Sequence, residues 1–110
     1  MPPEKIKQNN FVYFRADRKM VKVMLDNIRY IESMKDYVKV CTDNEVVITK
    51  QSLNSVEAML PEKRFIRTHR SFIVSLSKIK SFTNELIQIS KEEEIPIGKL
   101  YRNEVLKMLE

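Results

Sequence analysis

The sequence holds a single glycine, Gly98, among 110 residues. A glycine-rich phosphate loop needs several positions with no side chain against the phosphate, so that class of nucleotide site is excluded. A lone cysteine, Cys41, excludes an internal disulfide framework and a cysteine zinc cluster. A lone histidine, His69, excludes a multi-histidine metal site and leaves a Cys–His catalytic pair without support. No apolar run nears the roughly 20 residues that cross a bilayer. The start, Met1-Pro2-Pro3-Glu4-Lys5, has no apolar stretch after its charge and does not read as a signal peptide. The expectation is a reduced, cytoplasmic domain with no membrane contact, no cofactor and no metal.

What is present supports one core. Hydrophobic residues make up 43% and charged residues 32%, an ordinary globular mix that rules out disorder throughout. At this length the chain is one domain, residues 10–110, preceded by a polar linker or disordered lead-in over 1–9. Lys and Arg number 20 against 15 Asp and Glu, a net +5 that suits a polyanionic partner.

From Phe11 the pattern is that of short alternating strands. Phe11 to Phe14 leads to a hairpin turn at Ala16-Asp17-Arg18-Lys19, and Val21, Val23 and Leu25 then alternate with Met20, Lys22 and Met24. Ile28–Glu32, Tyr37–Thr42 and Val46–Thr49 follow, the last two joined by an Asp43-Asn44 turn. A helix is expected at about 52–60, with Leu53, Val56, Met59 and Leu60 on one face. Ser52 or Asn54 is its N-cap, Asn54 and Glu57 form a capping box, and Pro61 stops it. Further strands are expected at Phe65–Arg67, Phe72–Val74, Lys78–Phe82, Leu86–Ile89 and Ile95–Ile97, with Pro96 at an edge or strand end. Tyr101–Leu109 can form a short helix burying Val105, Met108 and Leu109. Phe65, Phe72 and Phe82 are assigned to the core. The fold expected is mainly β, with small stacked antiparallel sheets and one principal helix.

Nothing places a catalytic constellation. Glu32, Asp36 and Asp43 have no evident common substrate, Glu92-Glu93-Glu94 reads as a solvated turn, and Ser71 beside His69 lacks an orienting third group. The expectation is a protein that is not an enzyme. Lys63 to Lys80 is more informative: it carries Lys63, Arg64, Arg67, Arg70, Lys78 and Lys80 and no acidic residue. With His69 and Ser71 it offers charge for phosphates and donors for base edges. Smaller clusters are Lys35, Tyr37 and Lys39, and Lys99, Arg102 and Lys107. These residues leave three partners open: double-stranded DNA, an acidic protein docking on a basic β face, and RNA. RNA is the weakest, since no exposed aromatic platform is evident.

Three blocks resemble the LytTR-type DNA-binding domains of bacterial response regulators. They are Ile28-Arg29-Tyr30-Ile31-Glu32-Ser33 with Lys35-Asp36-Tyr37-Val38-Lys39-Val40, then Arg64 to Val74, then Ile95-Pro96-Ile97-Gly98-Lys99-Leu100-Tyr101-Arg102. Their order and spacing agree from about Phe11 to Leu109. The resemblance implies an elongated, almost all-β body with one helix, following a phospho-acceptor receiver domain. It implies a transcription factor that binds tandem direct repeats as two protomers, inserting loops into successive major grooves. The base-reading positions fall on Tyr37, Arg70 and Arg102, with Lys35, Lys99 and His69 beside them. Lys39, Arg67, Ser71 and Lys78 are further candidates for phosphate or supporting contacts. His69 is expected to pack inward if Arg70 points outward.

Overall fold

The computed structural model describes residues 10–110, so the expected linker over 1–9 lies outside the described residues. The strands are β1 (Phe11–Ala16), β2 (Lys19–Met24), β3 (Ile28–Ser33), β4 (Val38–Thr42) and β5 (Val46–Thr49). Helix α1 (Leu53–Met59) follows, then β6 (Phe65–His69), β7 (Phe72–Ser75), β8 (Ser81–Phe82), β9 (Leu86–Ser90) and β10 (Glu93–Pro96), and last helix α2 (Arg102–Leu109). All pairing is antiparallel. A five-stranded sheet has the order β5-β4-β3-β7-β6, a three-stranded sheet β10-β9-β8, and β1 and β2 form a separate hairpin.

The central sheet is the middle layer because its strands alternate apolar side chains to both faces. Ile31, Val38, Val40, Phe65 and Ile73 point to one side and form a core with Phe14 and Val23 of the hairpin and Val56 of α1. Ile66 and Val74 point to the other, meeting Ile87, Ile89 and Ile95 of the small sheet and Val105 of α2. Each face is covered by a different small unit, which gives the stacked architecture. An ion pair between Arg29 and Glu93 joins the central and small sheets, so the glutamate run is not all solvated turn. Pro96 ends the edge strand β10, where its missing N–H removes nothing from the ladder.

Several local expectations shift. Ser52 caps α1, its Oγ accepting from Ser55 N–H at 3.0 Å. Asn54 and Glu57 make no capping box and are both turned to Arg67. Met59 is 38% exposed, because it falls about 60° round the helix from Val56. Phe82 is also 38% exposed, lying on a two-residue edge strand, and Met108 is 43% exposed. Leu76–Lys78 forms a 3-10 turn, which shortens the strand expected from Lys78 to Ser81–Phe82.

Candidate nucleic-acid interface

Antiparallel pairing decides which loops share an end of the central sheet. Glu32 of β3 pairs with Phe72 of β7, so the β3–β4 loop and the β6–β7 turn leave the sheet side by side. Ser33 N–H donates to the Ser71 carbonyl at 2.8 Å, extending the ladder to the turn itself. The loop carries Lys35, Asp36 and Tyr37 and is closed by Met34 N–H donating to the Tyr37 carbonyl at 2.8 Å. The turn carries Arg70 and Ser71. A third segment joins beside β6, where Gly98 N–H donates to the Thr68 carbonyl at 2.8 Å. This places Lys99, Leu100 and Arg102 next to the Arg70 turn. The three base-reading positions expected from the sequence, Tyr37, Arg70 and Arg102, are thereby brought together on one end of one sheet.

His69 and Gly98 explain how the loops pack so closely. The His69 Nδ1 accepts from Ser71 N–H at 3.0 Å, bracing the turn from inside, so Nε2 carries the proton in the neutral ring. The ring meets Phe72 edge-on, with centroids 5.8 Å apart. A Cβ at position 98 would sit 3.3 Å from His69 Cδ2 and 3.4 Å from the Tyr101 ring. The chain's one glycine therefore stands where two loops touch. The sequence pattern packs His69 inward; the residue is half-buried, beside the exposed Arg70.

Arg67 holds the turn from the other side. Its Nε donates to the His69 carbonyl at 2.8 Å and its Nη2 to the Arg70 carbonyl at 2.7 Å. Its Nη1 donates to Asn54 Oδ1 and Glu57 Oε1, each at 2.8 Å. The guanidinium also lies 5.9 Å from the centre of the Tyr101 ring. With its side chain only 13% exposed, Arg67 is a strut between α1 and the Arg70 turn and has little left to offer a phosphate.

The acid-free segment from Lys63 to Lys80 does not form one surface. Lys63 and Arg64 precede β6 and Lys78 follows β7, so all three lie at the opposite end of the sheet from Arg70. There Arg64 pairs with Asp26 at 2.5 Å and Lys78 with Asp43 at 2.8 Å. Lys78 therefore stands apart from the other candidates, because a five-residue strand separates the two ends by roughly 16 Å. Lys39 faces Glu32 across the strand pair at 3.9 Å. In contrast, Lys35, Arg70, Lys99 and Arg102 make no ion pair among the described residues.

Two features of this end carry no signal in the sequence pattern. Leu100 is 95% exposed, an apolar side chain standing between Lys99 and Arg102. The Arg102 Nε is buried without a hydrogen-bond partner among the described residues, an unsatisfied charged donor. Elsewhere, the Tyr30 phenol is pushed up to about 12, first by burial and then by its hydrogen bond to Cys41. Burial likewise raises the Cys41 thiol, which favours its protonated form. No helix among the described residues is long and apolar enough to cross a membrane.

Known proteins match this arrangement. A family model described as the LytTr DNA-binding domain matches residues 18–110. The chain is 31% identical over 98 residues to the sensory transduction protein LytT of Bacillus anthracis, covering 84% of this chain and 40% of that protein. It is 33% identical over 75 residues to the transcriptional regulatory protein NatR of Bacillus subtilis, covering 68% of this chain and 32% of that protein. A solved LytTr DNA-binding domain of a response regulator from Bacillus cereus superposes with a TM-score of 0.78 at 27% identity. That match covers 93% of this chain and 98% of the solved one. The chain spans well under half the length of the curated relatives it matches.

Proposed function

This chain belongs to the LytTR DNA-binding domain family, and from that premise we propose that it reads double-stranded DNA with the loops at one end of its central sheet. Its role is binding rather than catalysis, as the output domain of a bacterial two-component transcriptional regulator acting in the cytoplasm. A receiver domain precedes it in the full-length regulator, and two protomers occupy tandem direct repeats.

Arg70 and Arg102 are the base readers best suited by chemistry, because a planar fork can engage guanine O6 and N7 together. Tyr37 offers a hydroxyl to a base edge, and Leu100 an apolar contact for a thymine methyl. Lys35 and Lys99 neutralise phosphates and set the register. His69, Ser71 and Arg67 act from behind, holding the turn. The observation that carries this reading is the sorting of the cations. Lys39, Arg67 and Lys78 are matched with carboxylates, whereas Lys35, Arg70, Lys99 and Arg102 gather at one end without one among the described residues.

The test is selection of duplexes from a random library by the wild-type domain and by Arg70→Ala. The reading expects a defined preference in the first and a relaxed one in the second. An acidic protein partner would instead leave the library without enrichment.

A further inference from the structure

The β1–β2 hairpin tip sits on the far side of Tyr37 from Arg70. A cleft of about 460 Å³ between them is lined by Arg15, Asp17, Arg18, Asp36, Tyr37, Ile48 and Lys50. We propose that Arg15, Arg18 and Lys50 form a backbone clamp that grips the phosphates flanking the groove entered by Tyr37. This rests on the DNA-binding reading above and extends the surface that reading uses.

The placement follows from the sheet. Val38 pairs with Thr49, so Lys50 leaves β5 at the same end as the Tyr37 loop and the Arg70 turn. Neighbouring strands lie about 4.8 Å apart, which puts β5 roughly 7 Å to the side of the β3–β4 loop. A major groove is about 12 Å wide, so a residue that far from a loop centred in it meets the wall, where the phosphates are. Arg15, Arg18 and Lys50 are exposed and make no ion pair among the described residues. With Lys50 at that sheet end and Arg15 and Arg18 lining the cleft with Tyr37, they add to the unpaired cations of the three loops.

The hairpin turn supplies an independent reason. Asp17 and Arg18 have φ of 53° and 66°, the pair of left-handed residues that a tight hairpin requires. Glycine or asparagine takes that conformation without strain, and arginine does not. An arginine held there is consistent with selection for its side chain rather than for the turn. The two carboxylates of the cleft act against phosphate, so Asp17 limits the grip of the same tip.

The substitution Arg18→Gly separates the two roles, because it relieves the turn while removing the charge. The probe is a long duplex that the wild-type domain selects from a random library, titrated over a range of salt. Arg18→Gly should keep or raise the melting temperature. It should also weaken binding on the order of tenfold at low salt and lower the log–log salt slope by about one. Lys50→Ala should behave alike, base preference should be unchanged, and Asp17→Asn should tighten binding. Trimming the duplex on that flank should erase the difference between variant and wild type. Unchanged affinity and slope in Arg18→Gly and Lys50→Ala would overturn the clamp while Arg70→Ala still relaxes preference. Loss of only the second copy on a tandem site would also overturn it, marking the cleft as a contact between protomers. Failure of the wild type to select any duplex would overturn the DNA-binding reading, and the clamp with it.

Discussion

The backbone N–H of Ser33 donates to the carbonyl of Ser71 at 2.8 Å, and that bond sets the Tyr37 loop against the Arg70 turn. Both loops inherit the rigidity of the central ladder, since Glu32 and Phe72 pair immediately behind them. The Tyr37 loop and the Arg70 turn are set against each other by sheet register, and Arg67 ties the turn to α1.

Substitutions at the two ends of the sheet should therefore behave differently. Arg70→Ala and Arg102→Ala should each cost about 1–3 kcal/mol on the preferred site and relax discrimination among sequences. Lys78→Ala, at the far end and paired with Asp43, should leave DNA affinity and preference near wild type. Titration of selected and mismatched duplexes distinguishes these outcomes. Uniform weakening in Arg70→Ala with preference intact would make Arg70 a phosphate contact.

Arg67 tests whether the turn must be held. Its fork reaches the His69 and Arg70 carbonyls and two α1 side chains at once. Lysine keeps the charge but cannot span four acceptors. Arg67→Lys should lower stability by about 1–3 kcal/mol and blunt base preference at unchanged net charge. Denaturant melts and duplex selection measure the two effects, and full preference in Arg67→Lys would show that the strut is dispensable.

Gly98→Ala should be felt at the turn. The added Cβ would lie 3.3 Å from His69 Cδ2, and His69 cannot recede freely while its Nδ1 holds Ser71 N–H. Overpacking of this kind costs about 1 kcal/mol or more, here with movement of the turn. Amide chemical shifts of Arg70 and Ser71 should change with a fall in DNA affinity. Unchanged shifts and affinity would show that the loops can part at no cost.

Tyr30 gives a pH signature. Its phenol is pushed up to about 12, so the neutral form is favoured in the fold. The stabilisation is full below the ordinary tyrosine range near 10 and is lost as pH rises toward 12. A late phase should appear in an absorbance titration, and Tyr30→Phe should remove it. A late phase surviving in Tyr30→Phe would assign it to another residue.

Much of the fold was legible because period-two alternation reports which face of a strand is buried. The hairpin at Asp17-Arg18, the pairing of β4 with β5 and the helix stopped by Pro61 all follow from local pattern. Alternation says nothing about which end of a strand carries function, so Lys63 to Lys80 looked like one basic patch. Antiparallel pairing divides it between two ends. Asn54 and Glu57 have capping-box spacing, yet Ser52 begins the helix one position before Leu53 and frees both for Arg67. Those contacts span 13 and 10 residues of sequence, beyond any local pattern. The three base-reading positions came from resemblance to a family, and the residues alone showed only their charge. The hairpin-tip arginines were missed because their neighbourhood with Tyr37 exists only once the hairpin folds over β5.

The most direct measurement is a titration of the isotope-labelled domain with its selected duplex, followed by backbone amide shifts. Binding through the loop end predicts the largest changes at residues 34–37, 70–71 and 98–102. Residues 63–64 and 78–80, at the other end of the sheet, should stay near their free positions. Largest changes at 63–64 and 78–80, with the loops undisturbed, would contradict the assignment of the interface to that end.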